Sequence, residues 1–158
     1  MNHLRAAALA AAVALAPLGG AGAANVEADN PWRIAQILQK EGYKAELGAT
    51  SKGAPKIESA AEGKKFTVFF YGCANGQDCK SIQFSSGFRN KSPITAAKVN
   101  EWNLGKRFAR AVSTDKGDAF LRMDVNMKNG GVSQATFENS LALWSLLLAD
   151  FKRHLGWR

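Results

Sequence analysis

The chain has 158 residues, 21 basic against 13 acidic side chains, a formal net charge of +8, two cysteines and two histidines. That length supports one domain with a real core and is short for two. Two cysteines allow one bridge, and the histidines are too few for a four-ligand zinc site.

Arg5 gives a basic start, Ala6 to Leu18 form a short apolar stretch, and Ala21-Gly22-Ala23 supplies a small-x-small cleavage pattern, so residues 1–24 read as a secretory signal. The apolar run falls short of the roughly 20 residues that a spanning helix needs. No later segment is both long enough and free of charge, and no cysteine precedes Cys73 to anchor a lipoprotein. Cleavage leaves residues 25–158 as a single soluble domain in the periplasm or outside the cell, and the loss of Arg5 lowers the net charge to +7. In that compartment a cationic surface meets acidic lipids, polysaccharides or acidic proteins more readily than nucleic acid. The charge also serves solubility alone in the plainer reading.

The first helix is predicted from Asn30, a cap, and Pro31, suited to the first helical position, through Ile34, Ile37 and Leu38 to a stop at Gly42, with Trp32 packed at its start. Period-two alternation places strands at residues 43–47 and 55–59. The third strand, residues 65–73, is apolar on both faces, with Phe66, Val68 and Phe70 on one and Phe69, Tyr71 and Cys73 on the other, so it belongs in the centre of a sheet or under two covers. The fourth, residues 80–88, puts Ile82, Phe84 and Phe88 inward and Ser81, Gln83 and Ser85 toward water.

Between these two strands Cys73 and Cys79 flank an Asn75-Gly76 turn, which suggests a hairpin fastened by a disulfide. Five residues separate the cysteines, whereas a redox pair normally has two, so the bridge is read as structural.

Ser92-Pro93 starts a second helix that runs through Val99 and Trp102 to about Asn103. Strands at 106–113 and 119–127 follow, joined by a hairpin loop containing Gly117. Ser133 caps a long last helix, with Val132 set to pack on Phe137. Phe137, Leu141, Trp144, Leu148 and Phe151 make its apolar stripe, and Leu143, Leu146 and Leu147 widen that stripe until burial on more than one side is expected. The sum is an α+β fold in the order α-β-β-β-β-α-β-β-α, an antiparallel sheet packed against helices.

Catalytic chemistry has little to work with. His154 sits in the basic helix end Lys152-Arg153-His154, where it complements the helix dipole. No Ser/His/acid arrangement, nucleophile elbow or phosphate-loop spacing occurs. An acid pair such as Glu101 with Asp124 would have to meet in the fold, which is the basis of an alternative reading as a small hydrolase or carbohydrate-active enzyme. No catalytic residue, metal or cofactor is assigned. Lys64, Lys65, Lys80, Arg89, Lys91, Lys106, Arg107 and Arg110, interleaved with Phe66, Phe88, Trp102 and Phe108, form a candidate patch for an anionic ligand, unless they are gatekeepers against edge pairing.

The chain resembles the YbjN family of bacterial sensory transduction regulators in five places. These are Gly42-Tyr-Lys-Ala-Glu-Leu47, Pro55 through Phe66, the cysteine hairpin through Ser85, Val99-Asn-Glu-Trp-Asn103, and Trp144 through Trp157. The resemblance implies a fold like that of type III secretion chaperones and transfers no catalytic residues. Export and a disulfide depart from cytoplasmic members.

The reading favoured by these residues is a non-enzymatic extracytoplasmic binding or chaperone-like module with a protein partner or a second copy of itself. Its candidate partner surface is Phe69, Tyr71, Trp102, Leu143 and Leu147. A third reading uses the basic residues to hold anionic lipid.

Overall fold

The computed structural model describes residues 24–157, so the leader expected at the N-terminus falls outside the described residues but for its last position. Within them the elements run α1 (Pro31–Lys40), β1 (Ala45–Ala49), β2 (Pro55–Ala61), β3 (Lys64–Tyr71), β4 (Ser81–Phe88), α2 (Ala96–Gly105), β5 (Arg110–Ser113), β6 (Ala119–Asn126) and α3 (Gln134–Leu155). This is the α+β order read from the sequence. The strands form one antiparallel sheet, β1-β2-β3-β4-β6-β5, with β3 and β4 at its centre.

Local chemistry sets the element ends. The Asn30 side chain accepts from the Arg33 amide at 3.0 Å and Pro31 opens α1. The helix closes when Gly42, at φ +85°, lets the Tyr43 amide reach back to the Leu38 carbonyl at 2.9 Å. That bond keeps Tyr43 out of β1, which therefore starts two residues later than the alternation suggested. Trp32 does not pack at the helix start. It lies opposite Ile34, Ile37 and Leu38 on the helical wheel and is 62% exposed.

Helix α2 also starts late. Ser92-Pro93 is not its cap, because the Ile94 amide is held by the Gly117 carbonyl of the β5–β6 turn at 2.9 Å, and Thr95 caps instead, accepting from the Lys98 amide. Ser133 caps α3 as read, with its hydroxyl accepting from the Thr136 amide at 3.1 Å.

The core lies between one sheet face and the three helices. Phe66 and Phe84 of β3 and β4 meet Trp144 of α3 at ring separations of 5.8 and 5.7 Å, and Phe151 of α3 packs on Trp102 of α2 at 4.9 Å. Truncating one such fully buried ring typically costs about 3–5 kcal/mol. Leu147 and Leu148 join this core, while Leu146, projecting from the opposite side of α3, is 67% exposed, so the helix is not buried all round.

The opposite sheet face carries Lys65, Thr67, Phe69 and Tyr71 of β3, Gln83 and Ser85 of β4, and Arg122 and Asp124 of β6. Gln83 and Ser85 are buried there, contrary to the polar, wetted face read for β4. Their shelter comes from across the sheet. Gln83 is flanked by Phe69 and Asp124 and donates to the Asp124 carboxylate at 2.7 Å, while Ser85 is flanked by Thr67 and Arg122.

The hairpin between β3 and β4 is closed as expected by a Cys73–Cys79 disulfide. Asn75 and Gly76 both take positive φ, 50° and 78°, in a two-residue turn held by reciprocal backbone bonds between Ala74 and Gln77.

Candidate functional site

The feature that distinguishes this sheet is the shortness of β5. Alternation predicts a strand from residue 106, but Phe108 is in the left-handed region at φ +70° and the Ala109 amide folds back onto the Arg107 carbonyl at 2.9 Å. Pairing with β6 consequently starts at Arg110, opposite Arg122, and covers β6 only as far as that residue.

The outer edge of β5 is itself closed. The Asn103 side chain of α2 accepts from the Ala111 amide at 2.8 Å and donates to its carbonyl at 3.1 Å, taking both backbone groups that would otherwise face outward. Those two bonds also fix the ladder's phase. Since Ala111 points away from β6, its partner Leu121 points toward β4, and Phe120 and Arg122 face β5. Carried along the strand, the same alternation aims the backbone N–H and C=O of Asp124 and Asn126 at the side β5 has vacated. On the other side, the Met127 amide bonds Lys80 of the β4 lead-in at 3.0 Å, in agreement with that phase.

A groove of about 400 Å³ follows this vacant half-edge. Val125, Asn126 and the side chain of Phe108 line it on the sheet side, and Asn139, Ser140 and Leu143 of α3 on the other. Phe108 is 66% exposed. The Asp124 carboxylate is occupied, paired with the Arg110 guanidinium and with Gln83, so its charge stays on the open sheet face.

The basic residues singled out in the sequence do not form one patch. Lys64, Arg89 and Lys91 gather at the end of the sheet where β3 begins and β4 finishes. Lys65 lies on the open face, and Lys80 precedes β4 at the opposite end. Lys106 is ion-paired with Asp150 at 2.7 Å, Arg107 lies against the Phe108 ring, and Arg110 is paired with Asp124.

The five candidate partner residues divide as well. Phe69 and Tyr71 stand on the open sheet face, Tyr71 exposed and Phe69 half-buried, and Leu143 lies half-buried in the groove wall. Trp102 and Leu147 are in the molecule's own core. Trp102 is fixed by Phe151 and by its indole N–H, which donates to the Ala109 carbonyl at 3.1 Å. Phe108, Asn126, Asn139 and Ser140 were not picked out as groove residues. The available signal was the pairing of inward alanines, Ala109 and Ala111, with large outward Phe108 and Val112 on one short segment.

Glu101 and Asp124 do not make an acid pair. Glu101 is on α2, where a hydrogen bond and the charge of Lys98 hold its carboxyl below the ordinary range, whereas Asp124 is tied to Arg110 on the sheet. Glu58, Asp118 and Asp150 are lowered in the same way, first by hydrogen bonds from Lys56, Arg89 and Lys106. Such shifts favour the ionised form, opposite to what a general acid requires. A ring nitrogen of His154 is 2.8 Å from the Lys98 carbonyl, with the ring beside Trp102 and Phe151, which ties α3 to α2. Among the described residues no three His, Cys, Asp or Glu side chains are grouped to hold a metal ion, and no helix is long and apolar enough to cross a membrane.

Comparison with protein families gives one match: the model of the YbjN family, described as "Putative bacterial sensory transduction regulator", aligns with residues 30–157. No curated protein and no solved structure matches.

Proposed function

The chain belongs to the YbjN family, and from that starting point we propose that it is a non-catalytic regulatory binding module, working outside the cytoplasm, that takes up an extended segment of a protein partner along the unpaired half of β6. The observation that carries this reading is the vacant edge at residues 123–126. Its outward backbone groups at Asp124 and Asn126 have the spacing of a strand ladder, and Phe108 and Leu143 flank them with apolar surface. Strand addition of this kind draws affinity from main-chain hydrogen bonds and specificity from side-chain pockets beside them. Asp124 is the one charged residue of the lining and its carboxylate is already paired with Arg110 and Gln83, while Asn126, Asn139 and Ser140 supply hydrogen-bonding groups, so the favoured segment has alternating apolar residues.

Extracytoplasmic action is supported by the leader-like first 24 residues and by the disulfide, a bond that persists in oxidising compartments. A photo-crosslinking residue at Asn139, compared with one at the exposed Leu104 of α2, tests the site in cells of the native host. The expected result is a crosslink at position 139 to one defined segment of one partner, absent at 104 and lost in Asn126→Pro, which removes an outward amide. Equal labelling at both positions, or labelling untouched by the proline, contradicts strand addition. A product containing two copies of this chain would identify the occupant as a second copy instead.

A further inference from the structure

We propose that the protein carries a second, separate binding site, a cleft at the start of β3 that holds the phosphate monoester group of a ligand with an aromatic or other flat body. Two adjoining cavities of about 330 Å³ each meet there and share Arg89 and Asp118. Together they are the size of small-ligand pockets.

Four cations line the joined cleft, Lys64, Arg89, Lys91 and Lys116, against the single carboxylate of Asp118. Arg89 uses that carboxylate fully, with its two nitrogens at 3.1 and 3.3 Å from the two oxygens. None of the ion pairs among the described residues involves Lys64, Lys91 or Lys116.

Lys64 is the anchor. Its ammonium is 4.8 Å from the ring centre of Phe88 and 4.5 Å from that of Trp157, and Lys152 is 5.6 Å from the same indole. Lys64 is half-buried, and an ammonium that loses part of its hydration without a counter-ion is only partly compensated by ring faces. Burial, and then the charge of Lys152, push its pKa below the ordinary 10.5, as expected of a cation that lacks an anion. A phosphate seated against Lys64 and the rim lysines supplies the missing charge.

The flat part of the ligand follows from the walls. Phe120 lies close over bare backbone at Gly87, where an added Cβ would be 3.0 Å from the ring. The Trp157 indole is oriented by its N–H, which donates to the Arg89 carbonyl at 3.3 Å. Trp157 beside Lys64, and Phe120 across the bare backbone of Gly87 with Arg122 over its ring, give the cleft an aromatic lining next to a free cation, which suits a flat group bearing an anion.

The test is a titration of the whole mature protein followed by the NMR signal of the Trp157 indole N–H, with phenyl phosphate, inorganic phosphate and vesicles containing phosphatidic acid as separate probes. Phenyl phosphate is expected to move the signal saturably, with inorganic phosphate binding at least about tenfold more weakly. Lys64→Gln should weaken phenyl phosphate binding on the order of tenfold, the loss of one charge-assisted hydrogen bond. The exposed rim variant Lys91→Gln with Lys116→Gln keeps the fold and should also weaken binding. Saturation by vesicles alone, with the same dependence on Lys64, would keep the phosphate site but overturn the flat body, assigning the phosphate to a lipid headgroup. The proposal is overturned by no saturable shift with any probe, or by unchanged affinity in both variants.

Discussion

At the scale of single residues, backbone sign and neighbouring atoms decide what each position tolerates. Gly76 combines φ +78° with a Cβ direction that runs to within 2.7 Å of the Gly53 carbonyl on the β1–β2 loop. Gly76→Ala should therefore lower stability by about 1–3 kcal/mol, read as a shift in urea midpoint. An unchanged midpoint would mean that the two loops do not touch. Lys64 makes a complementary prediction in pH. Because its folded pKa is depressed, the native state sheds this proton before the unfolded chain does, so its contribution to stability rises with pH between the depressed value and 10.5. Amine titration by NMR should place Lys64 below the other lysines, and Lys64→Gln should flatten the alkaline gain. The Asn75-Gly76 turn was legible because glycine beside asparagine encodes its own backbone. The shelter of Gln83 and Ser85 was not, since it is supplied by residues 67, 69, 122 and 124 on neighbouring strands.

At the scale of elements, periodicity located every helix and strand and local caps marked the starts of α1 and α3, whereas the starts of α2 and β5 fell later than the pattern suggested. The Ile94–Gly117 bond delays α2, and the left-handed Phe108 shortens β5. Neither has a local pattern to announce it, and the second one opens the candidate edge. Asn103 guards the adjoining edge by pairing with both backbone groups of Ala111. Asn103→Ala should cost about 1–2 kcal/mol in a denaturant melt and should speed amide exchange at Ala111. Slow exchange at Ala111 in that variant would show another element covering β5. Replacing Cys73 and Cys79 together by serine should cost about 2 kcal/mol, the chain-entropy value for so small a loop, and leave the β6 groove intact. Loss of partner capture in that variant would instead link the hairpin to the site.

At the scale of the whole molecule, three helices cover one sheet face and an aromatic core joins them, with Trp144 against β3 and β4 and Phe151 against α2. A response to acid is expected from the carboxylates held by cations across elements. Asp118 is lowered first by its hydrogen bonds from Arg89 and Asp150 first by that from Lys106. A lowered folded pKa gives stability that is present above the ordinary 3.8 and lost as pH falls through the depressed values. Because both carboxylates sit in surface ion pairs, which are individually worth little, thermal melts should fall modestly below pH 4, and Asp150→Asn should reduce that slope. An unaltered slope would place the acid response in other groups. Family membership was legible in the sequence because its motifs are contiguous. The groove was not, because it joins β6, α3 and a turn that are distant along the chain.

The central claim is that β6 offers half of its edge to an incoming strand, and amide hydrogen exchange at Asp124 and Asn126 tests it most directly. The account predicts rapid exchange at both amides in the free protein, with Met123 and Val125 protected through β4, and strong protection of Asp124 and Asn126 once the partner segment is bound. Protection of those two amides already in the free monomer, or their continued rapid exchange in the complex, would contradict it.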